Sequence, residues 1–460
     1  MQGGPQASPA SFRDPRGFVF MREGTLYRQI APAHAAEYDR LMTSGLYRDL
    51  VGDGSLIPHE EVDAGLAVTP DAYKVIRPER VPFVSYPYEW GFSQLRDAAL
   101  VTLSVQSAAM SHQMTLRDAT AFNITFHGGR PVLLDTTSLG ILEEGEPWVA
   151  YRQFCQHFVA PLALMGYRDV RLGQLTRIHL DGIPLDLTRD LLPSRTRAKA
   201  GLMMHVRMHA ASQERHEDDD RTTERKAFSR RSFEGLIDSL RRTIESLTEP
   251  KGRSTWRRYY DETDHYSDAA AAEKGEHVER WITESGAKTV WDLGANTGRF
   301  SRLASRKGID TVAIDSDPFC IDQAYEDARR DGDDHLVPIV SDLTNPSPGL
   351  GWENRERSSL EDRGPADLAL ALAVIHHLAI ANNVPLPLIV DQLARLGRSA
   401  IVEFVPKTDP KVQRLLRDRE DIFDDYTEAV FEQHAQERFA IGRREPLADS
   451  GRTLYLLEAR

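Results

Sequence analysis

The chain has 460 residues, of which 41% are hydrophobic and 28% charged, and its formal net charge is −13. This composition is typical of a soluble globular protein, and the length predicts two or three domains that each bury their own core. The acidic balance disfavours a general nucleic-acid-binding function. The two cysteines, Cys155 and Cys320, lie too far apart in sequence to suggest a disulfide framework or a paired metal clip.

Targeting and membrane patterns are missing from the sequence. The first 16 residues show no signal-peptide pattern, and the longest apolar run, residues 368–375, is much too short to cross a bilayer. We therefore expect a cytoplasmic protein without a membrane partner. The sequence does not indicate an oligomeric state.

A change in composition divides the chain near residue 210. Residues 1–209 mix strand-like and helical segments with many aromatic side chains, which predicts an α+β domain. Residues 213–226 carry almost no apolar side chain and are predicted to form a surface linker. Apolar residues then recur at helical spacing from Phe233 to Leu247, so residues 210–250 are interpreted as a charged linker followed by an amphipathic helix.

The remaining part, residues 251–460, alternates short apolar runs with helical stretches. Seven runs predict strands: 289–293, 310–315, 336–340, 366–374, 399–405, 439–442 and 452–457. The last two are typical of a closing antiparallel pair. Near-continuous apolar strands between helices indicate a parallel sheet with both faces covered. We therefore predict an α/β fold with a doubly wound, seven-stranded, Rossmann-like sheet.

The sharpest motif follows the first of these strands, where Asp292 to Gly298 spell Asp-Leu-Gly-Ala-Asn-Thr-Gly. Gly294 permits a tight turn, and Gly298 lets a helix begin close to the sheet, because glycine tolerates positive φ and close approach of a ligand. The free N–H groups of a helix N-terminus favour polar or anionic ligand groups. The spacing differs from the GxGxxG pattern of nicotinamide and flavin sites.

This motif is similar to the first motif of class I S-adenosylmethionine (SAM) dependent methyltransferases. The resemblance assigns seven residues to the cofactor site: Asp292, Gly294, Asn296, Gly298, Asp315, Asp342 and Leu343. It implies that the glycine turn packs against the methionyl part of SAM. Asp315, at the end of the second strand, would hold the ribose hydroxyls, and Asp342 with Leu343 would edge the adenine. Alone, each acid could instead cap a helix, which is the interpretation preferred for Asp317.

His376 and His377 follow the fourth strand. Ligands of open α/β sheets bind outside the carboxyl ends of the strands, so this pair is predicted to lie near the transferred methyl group. A histidine titrates in the range needed to take a proton from an acceptor hydroxyl, which makes either residue a candidate base. Alternatively, one histidine packs under the next helix and the other bonds to the backbone. No Asn/Asp-Pro-Pro-Tyr/Phe segment is present, which disfavours an amide or adenine nitrogen as the acceptor.

An aromatic and polar segment, residues 256–267, precedes the first strand. It is predicted to form a lid over SAM, and the residues that would line the acceptor pocket are Tyr259, Tyr260, His265 and Tyr266. The alternative is a packed amphipathic helix. Glu403 is a further pocket candidate, with a capping role as its alternative. Together with this segment, residues 418–426 and 450–455 resemble the methyltransferases related to the nodulation protein NoeA, a resemblance that fixes no acceptor.

The first half contains Asp118, Asn123 and Asp135 in a pattern that resembles the catalytic segment of protein kinases and aminoglycoside phosphotransferases. The resemblance implies Asp118 as a base and Asn123 and Asp135 as magnesium ligands, with a hairpin turn at residues 127–130 between them. Leu116 stands where kinases have histidine, and no glycine-rich phosphate loop precedes it. The alternative is that these acids cap turns in an unrelated α+β module.

We therefore predict an enzyme that transfers a methyl group from SAM to an unidentified acceptor, favoured to be a small molecule, glycan or natural product. The first half would aid acceptor recognition. Two alternatives stay open: a phosphotransferase or ATP-sensing pseudokinase that holds Mg-ATP, and a SAM-sensing scaffold without catalysis. The sequence does not distinguish O-, N- and C-methylation.

Overall fold

The computed structural model describes residues 6–208, 228–250, 268–417, 419–448 and 450–460. The chain divides into two compact units: Met1–Lys251 with Leu350–Arg357, and Gly252–Gly349 with Ser358–Arg460. No helix within the described ranges is long and apolar enough to cross a membrane. The predicted lid, with Tyr260 and Tyr266, and the predicted linker at 213–226 lie outside the described residues.

The first unit contains a five-stranded antiparallel sheet in the order β1-β2-β3-β5-β4. Its strands are β1 Gln6–Ala7, β2 Gly17–Arg22, β3 Thr25–Ile30, β4 His59–Val62 and β5 Lys74–Pro78. Two smaller antiparallel pairs follow: β6 Met114–Leu116 with β9 Leu139–Ile141, and β7 Ile124–His127 with β8 Arg130–Leu133.

Helices make up most of the rest of the first unit. They are α1 Ala35–Thr43, α2 Leu46–Gly52, α3 Phe92–Ser111, α4 Tyr151–Phe154, α5 Ala160–Tyr167, α6 Leu175–Ile178, α7 Leu185–Leu191, α8 Ala200–Leu202 and α9 Arg230–Ser246. Helix α9 is the predicted amphipathic helix, and its buried side includes Phe233, Ile237, Leu240 and Ile244. The helical prediction for this segment is confirmed, because the 3.6-residue spacing places these side chains on one face.

The second unit contains a seven-stranded sheet in the order β12-β11-β10-β13-β14-β16-β15, which confirms the predicted strand number. Its strands are β10 Thr289–Leu293, β11 Asp310–Asp315, β12 Leu336–Val340, β13 Ala366–Ala371, β14 Gly397–Phe404, β15 Phe439–Pro446 and β16 Thr453–Ala459. The first five strands are parallel, and β16 runs antiparallel between β14 and β15.

Helices accompany this sheet as the alternating pattern predicts: α10 Asp268–Ser285, α11 Ser301–Ser305, α12 Pro318–Asp331, α13 Leu386–Leu396, α14 Pro410–Leu416 and α15 Glu428–Arg438. One core cluster joins Trp281 and Ile282 of α10 to Leu368, Ile401 and Leu454 of the strands. The five parallel strands are buried along most of their length, which explains their continuous apolar runs, whereas β15 at the edge of the sheet is largely exposed.

The direction of strand succession reverses at β10, because β11 lies on one side of it and β13 on the other. In open α/β sheets such a reversal opens a crevice at the carboxyl ends of the two strands, where ligands bind. The fourth predicted strand was too long. It ends at Ala371 rather than at residue 374, because Ala373 adopts a φ of 54°, which interrupts the extended backbone.

Candidate functional site

The turn after β10 has the left-handed backbone that its glycines predict. Gly294 has a φ of 80°, Gly298 a φ of 77°, and Asn296 between them a φ of 52°. The N–H groups of Gly294 and the next residue both donate to the carbonyl oxygen of Ile314 at 2.9 Å, which ties the turn to β11. A Cβ atom added at Gly294 would lie 3.0 Å from Cγ2 of Val374. The turn is therefore held closely between β11 and the segment after β13.

Asp292, the residue before the last of β10, points into the protein. Its side chain is 3% exposed, and Oδ2 accepts a hydrogen bond of 2.6 Å from the Ser301 hydroxyl of α11. Burial raises the pKa of Asp292 to about 6, although the Ser301 hydroxyl and the positive charge of Lys274 oppose that shift. The carboxyl group thus links the end of β10 to the following helix.

Asp315, the last residue of β11, faces the same turn. Its Oδ2 accepts the N–H of Asn296 at 2.8 Å, and its Oδ1 accepts the N–H of Asp317 at 2.9 Å. Burial raises the pKa of Asp315. A carboxylate offers about four acceptor positions, so these two bonds leave capacity for two further donors. Asp317 caps α12 by accepting the N–H of Phe319, which confirms the interpretation made for it.

Asp342 and Leu343 follow β12, the strand that pairs with β11. Asp342 is exposed, and its Oδ1 accepts the backbone N–H and the hydroxyl of Thr344, at 2.8 and 2.7 Å. Oδ2 is left for other donors. The backbone carbonyl of Leu343 accepts a hydrogen bond from the Gln392 amide at 3.1 Å. Asp342 and Leu343 therefore both lie at the predicted edge of the sheet. Asp342 contributes a carboxylate there, and Leu343 contributes an apolar side chain.

A small apolar cavity opens at the carboxyl ends of β10 and β13, against α13. Its lining residues are Leu293, Leu343, Ala371, Val374, Ile375, Leu378, Ile389, Gln392, Leu393 and Leu396. Only one of them carries a polar side chain. The cavity therefore belongs to the apolar packing between the end of β10 and α13.

The rings of His376 and His377 lie against one another, with centroids 4.2 Å apart and planes inclined by 39°. His376 is 2% exposed, and its Nδ1 is buried without a hydrogen-bond partner. Burial, helped by the neighbouring His377, holds the pKa of His376 well below its usual range, and burial lowers the pKa of His377 to about 4. Both rings are therefore neutral at pH 7, and His376 carries an unsatisfied ring nitrogen.

A set of four buried ionic side chains lies beside these histidines. We call Lys274, Glu403, Asp409 and Arg452 the buried charge network. Glu403 is its centre, because Oε2 contacts Lys274 Nζ at 2.5 Å and Oε1 contacts Arg452 Nη1 at 3.1 Å. Arg452 Nε also contacts Asp409 Oδ2 at 2.7 Å. Glu403 thus takes part in two ion pairs and does not have the helix-capping role that was its alternative.

The charges of the buried charge network affect the protonation of two neighbouring side chains, His376 and Asp292. The charge of Glu403 favours the protonated form of His376, whereas the charges of Arg452 and Lys274 disfavour it. Lys274 also favours the ionised form of Asp292. Sequence reasoning singled out Glu403 but missed Asp409 and Arg452, because nothing in the local pattern distinguishes these charges from exposed ones. The one local indication is that Asp409 precedes Pro410, a pair typical of a helix start. In the structure a helix does begin at Pro410.

Asp118, Asn123 and Asp135, the three residues predicted to act together in the first unit, do lie close to one another. The hairpin between them is present, and Gly128 and Gly129 in its turn have φ values of 56° and 70°, so the hairpin prediction is confirmed. Asp118 Oδ1 accepts the Gln153 amide at 2.7 Å. Burial raises the pKa of Asp118, and the nearby charge of Asp135 adds to that shift. Asn123 donates to the Ser138 hydroxyl at 3.0 Å.

Asp135 has a guanidinium partner. Arg28 Nη1, from β3, lies 2.7 Å from Asp135 Oδ1, which also accepts the Thr137 hydroxyl at 2.6 Å. Burial opposes ionisation, but Arg28 and Thr137 outweigh it and hold the pKa of Asp135 below its usual range. Within the described ranges, no group of three or more His, Cys, Asp or Glu side chains could hold a metal ion. The role of Asp135 as a magnesium ligand stays a prediction.

Comparisons with known proteins gave one full-length match. No family model matches the chain. Among solved structures, magnesium protoporphyrin IX methyltransferase ChlM from Synechocystis PCC 6803 with bound SAH is 18% identical over 44% of this chain and 93% of its own, with a TM-score of 0.32. The N-methyltransferase NodS from Bradyrhizobium japonicum WM9 is 16% identical over 42% of this chain and 99% of its own, with a TM-score of 0.31. Scores this low do not establish a shared fold.

The full-length match is to the nodulation protein NoeA of Rhizobium meliloti (strain 1021). It is 32% identical over 464 residues, which cover 99% of this chain and 96% of that protein. The match spans both units. The chain therefore belongs to the family of the nodulation protein NoeA.

Proposed function

We propose that this chain is a class I SAM-dependent methyltransferase whose cofactor site lies at the carboxyl edge of the seven-stranded sheet. The observation that carries this proposal is the pairing of the glycine turn with Asp315 through the Asn296 N–H, at the point where strand succession reverses. A tight positive-φ turn, a helix start and a carboxylate on the neighbouring strand suit a ligand with polar groups and a ribose.

The residues of this edge fit SAM by their chemistry. The two spare acceptor positions of Asp315 match two ribose hydroxyls. Oδ2 of Asp342 is open to an amine donor, and the side chain of Leu343 offers an apolar surface for a flat base. Asp292 adds a buried carboxyl group behind the turn for a ligand that carries positive charge. When bound, SAM supplies a methyl group on a positively charged sulfur.

His376 is the residue that we assign to the acceptor. Its neutral, unpartnered Nδ1 can accept a hydrogen bond from an acceptor hydroxyl and take its proton as the oxygen attacks. Glu403 favours the imidazolium that this step forms, and the ring of His377 packs against that of His376. Tyr260 and Tyr266 stay candidates for the acceptor pocket. We favour a small molecule, glycan or natural product as acceptor, recognised with the help of the first unit.

Binding of the demethylated product S-adenosylhomocysteine, measured by calorimetry on the full chain, tests the cofactor site. Asp315→Ala removes two charge-assisted hydrogen bonds to hydroxyls and is expected to weaken binding roughly tenfold to a hundredfold. The matched control is Asp310→Ala, because Asp310 begins the same strand at the opposite edge and is paired with His335. No binding up to millimolar ligand, or equal losses in the two variants, would refute the proposal.

ATP binding by the first unit is the second candidate function. It is favoured by the convergence of Asp118, Asn123 and Asp135 behind a five-stranded antiparallel sheet, and opposed by the ion pair that Arg28 makes with Asp135. A parallel titration with Mg-ATP decides it. Magnesium-dependent binding that is lost in Asp135→Ala would support it, and no such binding would remove it.

A further inference from the structure

Four positive side chains of the first unit form no ion pair with an acidic side chain in the described part of the chain. No Asp or Glu lies between Asp190 and Arg207, although the whole chain has a formal net charge of −13. The cations in this interval are Arg195, Arg197, Lys199 and Arg207. Within the part of the chain that the structure describes, no carboxylate forms an ion pair with any of them. Local charge here is therefore opposite to that of the protein as a whole.

The fold packs two arginine-bearing elements of this region against the segment that carries a third arginine. Helix α7 carries Arg189, the helical turn Ser194–Ala198 carries Arg197, and the segment Met203–Met208 carries Arg207. Arg207 Nη2 donates to the Thr196 hydroxyl at 3.2 Å, which anchors it to the turn that holds Arg197. Arg207 Nε is buried and has no hydrogen-bond partner. The guanidinium of Arg207 is therefore fixed in place but not satisfied.

The positive charges of these three arginines repel one another. Burial lowers the pKa of Arg207, and the positive charges of Arg197 and Arg189 lower it further. Asp190, which pairs with Arg189, offsets only part of that effect. Like charges held together in a folded protein reduce its stability, so such a cluster suggests a role that needs the positive potential.

We propose that Arg189, Arg197 and Arg207 form a binding site for a tetrahedral oxyanion, the phosphate or sulfate ester group of a small molecule. Guanidinium groups present paired N–H donors that match the oxygens of such esters, often two at a time. The three arginines come from one short stretch of chain, which favours one small group over nucleic acid, because nucleic acid requires a basic stripe along a surface. This site belongs to the first unit and does not depend on methyl transfer.

Calorimetric titration of the full chain with inorganic phosphate, and separately with sodium sulfate, at constant ionic strength tests the proposal. We expect saturable binding of at least one of the two anions, and the tighter one indicates the kind of ester. Arg197→Gln and Arg207→Gln should each weaken it about tenfold or more, the usual effect of losing a charge-assisted hydrogen bond. Arg197 is exposed, so its substitution should leave the melting temperature unchanged.

Arg48→Gln is the matched control, because Arg48 is 85% exposed on α2, beside Asp49, and its loss changes the net charge equally. The control should bind as the wild type does. The proposal is overturned if the wild type shows no saturable binding of either anion up to about 10 mM. A site with a dissociation constant of about 1 mM would be nearly saturated at that concentration. It is also overturned if the control loses as much affinity as Arg197→Gln, or if a DNA duplex competes for the three arginines more strongly than either anion.

Discussion

Glu403→Gln removes the central negative charge of the buried charge network while keeping the side-chain size. Arg452 retains Asp409 as a partner at 2.7 Å, so the main loss falls on Lys274, whose side chain is only 5% exposed. Breaking a buried ion pair by removing one partner destabilises a protein by roughly 3–5 kcal/mol. An upper bound comes from the lysine itself, since deprotonating an amine of ordinary pKa 10.5 at pH 7 costs about 5 kcal/mol.

Urea unfolding at pH 7, followed by tryptophan fluorescence, measures this loss. Trp281 and Trp291 lie in the core of the second unit and report on it. A loss of 3–5 kcal/mol corresponds to a fall of roughly 6–20 °C in the melting temperature of a unit of this size. The control is Glu361→Gln, because the Glu361–Arg395 pair is exposed, and it should cost less than about 1 kcal/mol.

A difference between Glu403→Gln and the control smaller than about 1 kcal/mol would refute the reasoning, because it would mean that water reaches the network. The double variant Lys274→Met/Glu403→Leu provides a further check. It replaces the two charges by apolar groups of similar size, so it should recover part of the stability that the single variant loses. If the double variant is no more stable than Glu403→Gln, the loss does not arise from the charge that Lys274 keeps in the single variant.

Three other expectations follow from single residues. Because the pKa of Asp292 is about 6 in the folded protein, the folded state holds a proton between about pH 4 and 6 that the unfolded state has lost. Stability should therefore fall by ~3 kcal/mol as the pH rises through that window, and urea midpoints of Asp292→Asn should lack this fall. Gly294→Ala should reduce stability and S-adenosylhomocysteine binding more than Gly332→Ala does, because both have positive φ but only Gly294 has a close neighbour. Arg28→Gln should lower the melting temperature at pH 7, where ionised Asp135 stabilises the fold, and the difference should shrink as the pH falls through the lowered pKa of Asp135; a difference that grows as the pH falls would contradict this.

The elements of the second unit were predictable because their causes are local. Buried parallel strands need continuous apolar runs, and β10, β11 and β12 begin and end at the predicted residues. The cap at Asp317 depends on a neighbour two residues away, and the glycines themselves identify the turn at Gly294, although Ile314 of the next strand holds it in place. The early end of β13 was missed, because a positive φ at an alanine has no sequence signature.

The ionic contacts were not predictable, because their partners are distant in sequence. Lys274 and Glu403 are 129 residues apart, and Arg452 lies 49 residues from Glu403. In the first unit the sequence indicates neither the pair of Arg28 with Asp135 nor that of Lys74 with Glu61, and the structure contains both. A charged residue in a sequence is most often exposed, and only the folded chain identifies the exceptions.

The role of His376 depends on both its position in the sequence and its surroundings in the folded chain. Its position after the fourth strand was predictable, but its neutrality and its unpartnered Nδ1 depend on burial. A base whose pKa lies far below 7 cannot remove the proton of a hydroxyl in advance. It can take that proton only as the attacking oxygen gains positive charge during transfer. Methyl transfer to a hydroxyl should therefore have a rate independent of pH between 6 and 8, whereas a rate that rises tenfold per pH unit there would mean that the acceptor ionises first, without His376.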